Sequence, residues 1–237
     1  MSFCIELFCV VTLQYQILVR IAIAYFIIEK KKAAPQPWQA IAQRFCSIRI
    51  CRGAEMIKII ETERLFLRPL TLEDADIAYH GWTGDAKVAE YVSWLPHYSI
   101  DDTIEWLKEI EWKQDDIGNI LENDNYIWGF VLKETGELFG SGGLIWEERW
   151  QQFQVGYNIM KTHWNHGYTT EAMQAILSFA AAILGIKRIA GCHAKENPAS
   201  AKVLEKLGFV YERDGITSHV DGVRHFDNRE YFLELDR

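Results

Sequence analysis

A mixed α/β sheet with a parallel crossover at its centre, flanked by helices, is the fold this sequence predicts. Beyond about residue 56 the apolar pattern switches repeatedly between a period of two and a period near 3.6. These are the signatures of half-buried strands and amphipathic helices. The resulting order is strand, two helices, three strands, helix, strand, helix, two strands. It places a strand–helix–strand crossover among strands joined by short turns. With 49% hydrophobic and 13% aromatic residues, the chain has ample material for a core, which argues against disorder.

The elements follow in order. Ile57 to Leu70 reads as one strand, with Leu65, Leu67 and Pro69 alternating against Arg64, Phe66 and Arg68. Thr71, with Asp74 three residues on, opens a first helix. A second helix is expected over Ile100 to Lys113, with Ile104, Leu107 and Ile110 as its apolar stripe and Asp101 or Asp102 as cap. A meander follows: strands over Tyr126–Lys133, Leu138–Trp146 and Gln152–Met160, the first two joined by a turn at Glu134–Glu137. The third carries Phe153, Val155, Tyr157 and Ile159 on one face. A loop over Lys161–His166 leads into a long helix from Tyr168 to Leu184, closed by Gly185. The next elements are a strand over Lys187–Ala194 and a helix over Pro198–Leu207, with Pro198 in its first turn and Gly208 as terminator. Strands over Phe209–Thr217 and Arg224–Leu235 close the chain.

Charge divides the sequence near residue 55. Residues 1–55 hold seven Lys/Arg against three Glu, whereas the remainder holds 18 basic and 30 acidic residues within a total net charge of −8. A field of that sign repels nucleic acid and favours cationic partners such as amines. Four of the five cysteines (Cys4, Cys9, Cys46, Cys51) precede residue 55, only Cys192 follows, and none forms a CxxC pair. The spacing points to neither a metal site nor a disulfide framework, and a reducing, cytoplasmic compartment is the simpler reading.

The stretch Phe3–Ile28 is apolar but interrupted by Glu6, Gln14, Gln16 and Arg20, and Lys30, Lys31 and Lys32 follow it. Its length suits a bilayer span, and the trailing lysines would leave the rest in the cytoplasm. A central arginine costs roughly 2.5 kcal/mol or more there, however, and the run lacks the basic lead and cleavage site of a signal peptide. Regular patterning, charge and cysteine usage all change where Met56 opens the string Met56-Ile57-Lys58-Ile59-Ile60-Glu61-Thr62-Glu63-Arg64-Leu65. The expectation is therefore an extension over 1–55 and one domain over 56–237. The favoured reading of the extension is a translation-start artefact; a weak membrane anchor and an accessory helix are its alternatives.

The chemistry concentrates where the strand ending at Met160 gives way, through a loop with Gly167, to a helix. A helix start presents unpaired N–H groups and the positive end of the helix dipole, a combination suited to a pyrophosphate. Gly167 lets the backbone approach the anion, and the hydroxyls of Thr169 and Thr170 can donate as well. One glycine before a helix is weak evidence by itself.

Three motifs sharpen it. Trp164-Asn165-His166-Gly167-Tyr168-Thr169-Thr170-Glu171-Ala172 resembles the W-G-K-G-Y-A-T-E-A loop of RimJ/RimL-like enzymes in the GNAT superfamily, departing from it at Asn165, His166 and Thr169. The run from Asn197 to Phe209 is similar to that family's N-x-x-S-x-x-V-x-E-K-x-G-F, with every fixed position kept. Glu63-Arg64-Leu65-Phe66-Leu67-Arg68-Pro69 resembles the T-E-R-L-x-L-R that opens such domains.

The resemblance implies a mostly antiparallel sheet with a parallel, V-shaped splay that holds acetyl-CoA, and direct transfer of the acetyl group to a primary amine. The amine is a protein N-terminus, as for the ribosomal-protein enzymes that name the branch, or a small molecule such as a polyamine or aminoglycoside. It also implies that Asn158, Ile159 and Met160 bind the pantetheine and thioester. The amides of His166, Gly167, Tyr168, Thr169 and Thr170 hold the pyrophosphate, and Asn197 reaches the pantetheine. Trp94 and Tyr98 lie at the substrate mouth. Many relatives carry Glu at the position of Gln154, which cannot act as a base; suspicion shifts to Glu147 or Glu148 working through water. The tyrosine that often protonates the leaving thiolate is replaced by Leu204, so Ser200 is the expected donor. His193 reads as a packed strand residue and Cys192 as inert core. Trp82, Trp94, Trp106, Trp112, Trp128, Trp146 and Trp150 are mostly expected in the core. No metal is expected, and the chain is expected to be a monomer or homodimer. An acetyl-CoA-binding module without turnover is the competing class, supported by Gln154 and Leu204.

Overall fold

The computed structural model describes residues 59–111 and 124–235. The extension over 1–55, Trp112 and the expected end of the second helix at Lys113 lie outside them.

Eight strands form one sheet in the order β1-β2-β3-β4-β5-β6-β8-β7. They are β1 (Ile60–Glu61), β2 (Leu65–Pro69), β3 (Asn125–Leu132), β4 (Leu138–Glu147), β5 (Gln152–Ile159), β6 (Arg188–Ala194), β7 (Val210–Ser218) and β8 (His225–Glu234). Every neighbouring pair is antiparallel except β5 and β6. The expected mixed sheet is therefore present, with its parallel crossover between β5 and β6.

Ile57 and Lys58 lie outside the described residues; the rest of the strand expected over Ile57–Leu70 is instead two short strands folded on each other, Ile60 opposite Leu67. Thr62 makes the turn: its N–H donates to the Leu65 carbonyl at 3.0 Å, and its hydroxyl accepts the Leu65 N–H at 3.0 Å. Threonine reads as a strand former by propensity, but here its side chain closes a turn.

Thr71 and Asp74 act as the sequence indicates. The Thr71 N–H donates to Asp74 Oδ2 at 2.8 Å, opening a 3-10 turn over Leu72–Asp74. Helix α1 (Ala75–Ala78) follows and widens into a π turn over Tyr79–Thr83. Helix α2 (Ile100–Glu109) is capped by Ser99 rather than by Asp101 or Asp102. Asp102 is the third helical residue, and its carboxylate accepts the Ser99 N–H at 3.0 Å and the Tyr98 N–H at 2.9 Å. Helix α3 (Tyr168–Ala182) and helix α4 (Pro198–Lys206) link β5 to β6 and β6 to β7.

The two faces of the sheet are covered separately. On β3, Tyr126, Trp128 and Phe130 pack with Met173, Ile176 and Phe179 of α3 and Leu204 of α4, while Ile127 joins Trp82, Leu107 and Ile110 on the α1–α2 side. Of the tryptophans, Trp82 and Trp128 are fully buried; Trp94, Trp106, Trp146 and Trp150 are half-buried. Trp94 and Trp150 stand in loops and Trp146 near the end of β4, while Trp94 and Trp106, the latter on α2, line an open cleft.

Candidate active site

Strands β5 and β6 touch at a single register pair, Gln154 opposite Ala190. Beyond Gln154 they diverge, so Val155 to Ile159 have a strand partner only on the β4 side. The gap opens into a cleft of about 1290 Å³. Its floor is kept free of side chains where β4 and β5 cross: Gly142 stands opposite Tyr157, and a Cβ on Gly142 would lie 2.7 Å from the Gly156 carbonyl.

At the end of β5 the chain turns through Asn165 and Gly167, both at positive φ (65° and 79°). The first α3 bond runs from the Glu171 N–H to the Gly167 carbonyl at 3.1 Å. The amides of Tyr168, Thr169 and Thr170 consequently have no partner within the helix, and all three residues line the cleft. Trp164 holds the strand end, its indole N–H donating to the Ile159 carbonyl at 3.0 Å. The first-turn carboxylate of Glu171 is drawn away from the cleft. It accepts from the Thr62 hydroxyl at 2.6 Å, the Arg64 N–H at 2.8 Å and Arg64 Nε at 2.6 Å. Arg64 also donates to the His166 carbonyl at 3.0 Å and lies over the Tyr168 ring. Two of the three sequence motifs thus meet in one contact that fixes the loop.

On the opposite wall Asn197 caps α4, its Oδ1 accepting the Ser200 N–H at 3.1 Å. The amide nitrogen of Asn197 remains a donor. Ser200 Oγ lies 2.8 Å from the Tyr157 hydroxyl. Burial raises the Tyr157 phenol above its ordinary range, against the opposing hydrogen bond to Ser200, so Tyr157 stays protonated at physiological pH. Burial also pushes the Cys192 thiol up to about 11, which leaves it an unreactive thiol. His193 is buried and doubly engaged. Nδ1 donates to the Ala194 carbonyl at 2.7 Å, which leaves Nε2 to accept from the Tyr231 hydroxyl at 3.3 Å.

Of the expected site residues, the cleft brings together Trp94, Glu147, Asn158, Ile159, Gly167, Tyr168, Thr169, Thr170, Asn197 and Ser200. Glu148, Met160, His166 and Tyr98 are not on its wall. Glu148 is engaged at the β4–β5 turn by Gln151 Nε2 at 2.5 Å. Met160 packs its side chain towards Gly81. His166 stacks on Tyr168, and Tyr98 is 87% exposed. Glu147 Oε1 accepts the Arg149 N–H at 3.2 Å, and Oε2 accepts from Gln154 at 3.4 Å. Two cleft residues carry little signal in sequence. Tyr157 reads there only as one of four alternating apolar positions. Trp82 is fully buried, yet its indole N–H has no partner, an uncommon state for a buried donor. Among the described residues no cluster of His, Cys, Asp and Glu could hold a metal, and no helix is long and apolar enough to cross a membrane.

A sheet splayed in parallel at its centre, with a free helix start at the mouth of the gap, defines an acyltransferase class of fold, and comparison with known proteins agrees. The family model described as an acetyltransferase (GNAT) domain matches residues 64–210, and the chain belongs to that family. It is 28% identical over 158 residues to the uncharacterised N-acetyltransferase YoaA of Bacillus subtilis, covering 66% of this chain and 85% of that protein. The uncharacterised N-acetyltransferase p20 of Bacillus licheniformis is 29% identical over 157 residues, covering 66% and 84%. Among solved structures, a GNAT-family acetyltransferase from Bacillus anthracis superposes with a TM-score of 0.61 at 22% identity, covering 76% of this chain and 99% of that one. The protein is an acetyltransferase.

Proposed function

We propose that the enzyme transfers the acetyl group of acetyl-CoA directly to a primary amine, in a ternary complex within the β5–β6 cleft. The observation that carries this reading is the free α3 start at Tyr168–Thr170, facing the same cleft as the unpaired edge of β5. The amides there, with the hydroxyls of Thr169 and Thr170, hold the pyrophosphate. The pantetheine runs along Asn158–Met160, with Asn197 donating from across the gap. Amides on the β5 edge stabilise the oxyanion that develops on the thioester carbonyl, a contribution of about 3 kcal/mol per well-placed donor.

Ser200 protonates the departing thiolate, and Tyr157, 2.8 Å behind it, supplies the hydrogen bond that restores Ser200. A tyrosine hydroxyl therefore serves the leaving group although Leu204 occupies the usual position. On the acceptor side, Glu147 and the half-buried Trp94 receive a cationic amine, and Trp82 Nε1 offers a donor to an oxygen of the same molecule. Protein N-termini and small amines both satisfy these features.

A thiol-release assay with acetyl-CoA over a panel of amines and N-terminal peptides tests the proposal. Turnover on at least one of them is expected. Thermal stabilisation by CoA with no turnover on any would favour the binding module.

A further inference from the structure

Deprotonation of the amine falls to a group on the wall of this cleft. Gln154 cannot act as a base, and Glu147 serves in the proposed reaction to hold the cationic amine, its Oε1 accepting the Arg149 N–H and its Oε2 accepting from Gln154. On the α1–α2 side of the same cleft stands His97, half-buried between Trp94 and Trp106, with ring centroids 5.8 and 6.3 Å away.

A chain of three hydrogen bonds fixes its tautomer. The Thr83 hydroxyl lies 3.2 Å from the Ala78 carbonyl, which can only accept, so Thr83 spends its one proton there. Thr83 Oγ1 must therefore accept from Thr103, 2.8 Å away. Thr103 Oγ1, its proton now spent, must accept from His97 Nδ1, also at 2.8 Å. Both threonines are buried. His97 is thereby held with its proton on Nδ1, and Nε2 is a bare lone pair with no protein partner among the described residues. The His97 N–H, donating to the Thr83 carbonyl at 2.9 Å, anchors the same loop from its backbone.

We infer that His97 Nε2 is the general base of this enzyme, taking the proton from the acceptor nitrogen as it attacks. The inference rests on the acetyl-transfer reading. The acceptor ammonium first gives one proton to solvent; the neutral amine nitrogen then bonds to the thioester carbonyl carbon as a second proton moves from it to Nε2. The C–S bond then breaks, and the thiolate takes a proton from Ser200. The imidazolium later returns its proton to solvent, and solvent restores Ser200 through Tyr157. Burial lowers the His97 pKa from its ordinary value, against the charge of Asp102 at the start of α2. Lys87, Glu90, Glu109, Glu147 and Arg149 are among the other charged groups on the cleft wall. The neutral, base-competent imidazole is consequently the form present at pH 7.

His97→Asn keeps a δ-nitrogen donor for Thr103 and deletes Nε2. A fall in kcat/KM of about 100-fold is expected, the lower end of what a positioned base contributes. CoA affinity should stay unchanged, and the acid limb of the pH–rate profile below about pH 6.5 should disappear. Added imidazole should restore part of the rate. Nitrogen-15 spectra of the unliganded wild type should show His97 neutral at pH 7 with its proton on Nδ1. A proton on Nε2, or a charged ring at pH 7, overturns the inference irrespective of acceptor. So does a His97→Asn enzyme within about threefold of wild type that keeps the acid limb. A wild type that releases no thiol with any acceptor overturns the acetyl-transfer reading and this inference together; loss confined to His97→Asn leaves the former standing.

Discussion

Single residues divide the proposed reaction between two walls of one cleft, and substitutions should separate binding from turnover. Gly167 sits at φ 79°, where an L-residue costs about 1 kcal/mol or more. A carboxylate added there would also face the anionic diphosphate. Gly167→Asp should therefore raise the Kd for CoA by about 10-fold or more, read by titration calorimetry. Ser200→Ala should lower kcat by about 100-fold while leaving the CoA Kd within about twofold. Equal loss of affinity in the two variants would contradict both roles. Tyr157→Phe removes one hydrogen bond, of about 1 kcal/mol, and should slow turnover by about fivefold under saturating acetyl-CoA. Ser200, Gly167 and Asn197 were legible in sequence because they belong to short contiguous motifs. Tyr157 and His97 were not, since their partners lie 43 and 6 residues away and only packing makes them neighbours.

Among the elements, the β3–β4–β5 meander was the easiest to read, because alternation and a turn at Gly136 mark its first hairpin. Its glycines carry a constraint that periodicity does not show. A Cβ on Gly143 would stand 1.8 Å from the Tyr126 carbonyl across the β3–β4 ladder. Gly143→Ala should therefore destabilise the fold by about 3 kcal/mol or more, seen as a lower midpoint in urea unfolding. A midpoint equal to wild type would show that the ladder can shift. The strand expected over Ile57–Leu70 broke into two because Thr62 hydrogen-bonds its own turn, a choice that propensity alone does not predict. The cap of α2 shifted to Ser99 for a related reason. Ser99 is the extended residue preceding the helix, and Asp102, three residues on, completes the box.

On the scale of the whole molecule, acid should undo the fold through the pair that ties β2 to the first helical turn. Arg68 donates to both carboxylate oxygens of Asp74, at 2.7 and 2.8 Å. Burial pushes the Asp74 carboxyl up, but Arg68 and the Thr71 N–H together outweigh it and hold it below its ordinary value. A carboxyl depressed in the folded state contributes stability that is fully present above its unfolded value, about pH 4, and is lost as pH falls through the folded value. Asp74→Asn should thus be less stable than wild type at pH 7. The difference between the two should narrow as the pH is taken below about 4 in a series of thermal melts; a constant difference would remove Asp74 from the account.

By itself the sequence determined most of the elements, the split of β1 from β2 excepted, roughly where they end, and which loop and helix carry the family's motifs. Hydrophobic period, capping residues and turn glycines all act over a few residues, and such local physics is written locally. The tertiary structure alone decided that β8 inserts between β6 and β7, and that β5 and β6 touch at one pair before parting. It also decided which of two adjacent glutamates reaches the cleft, and that His97 lines the same cleft with its Nδ1 against Thr103. Those outcomes depend on packing between segments far apart in the chain, where complementarity of shape selects the partner.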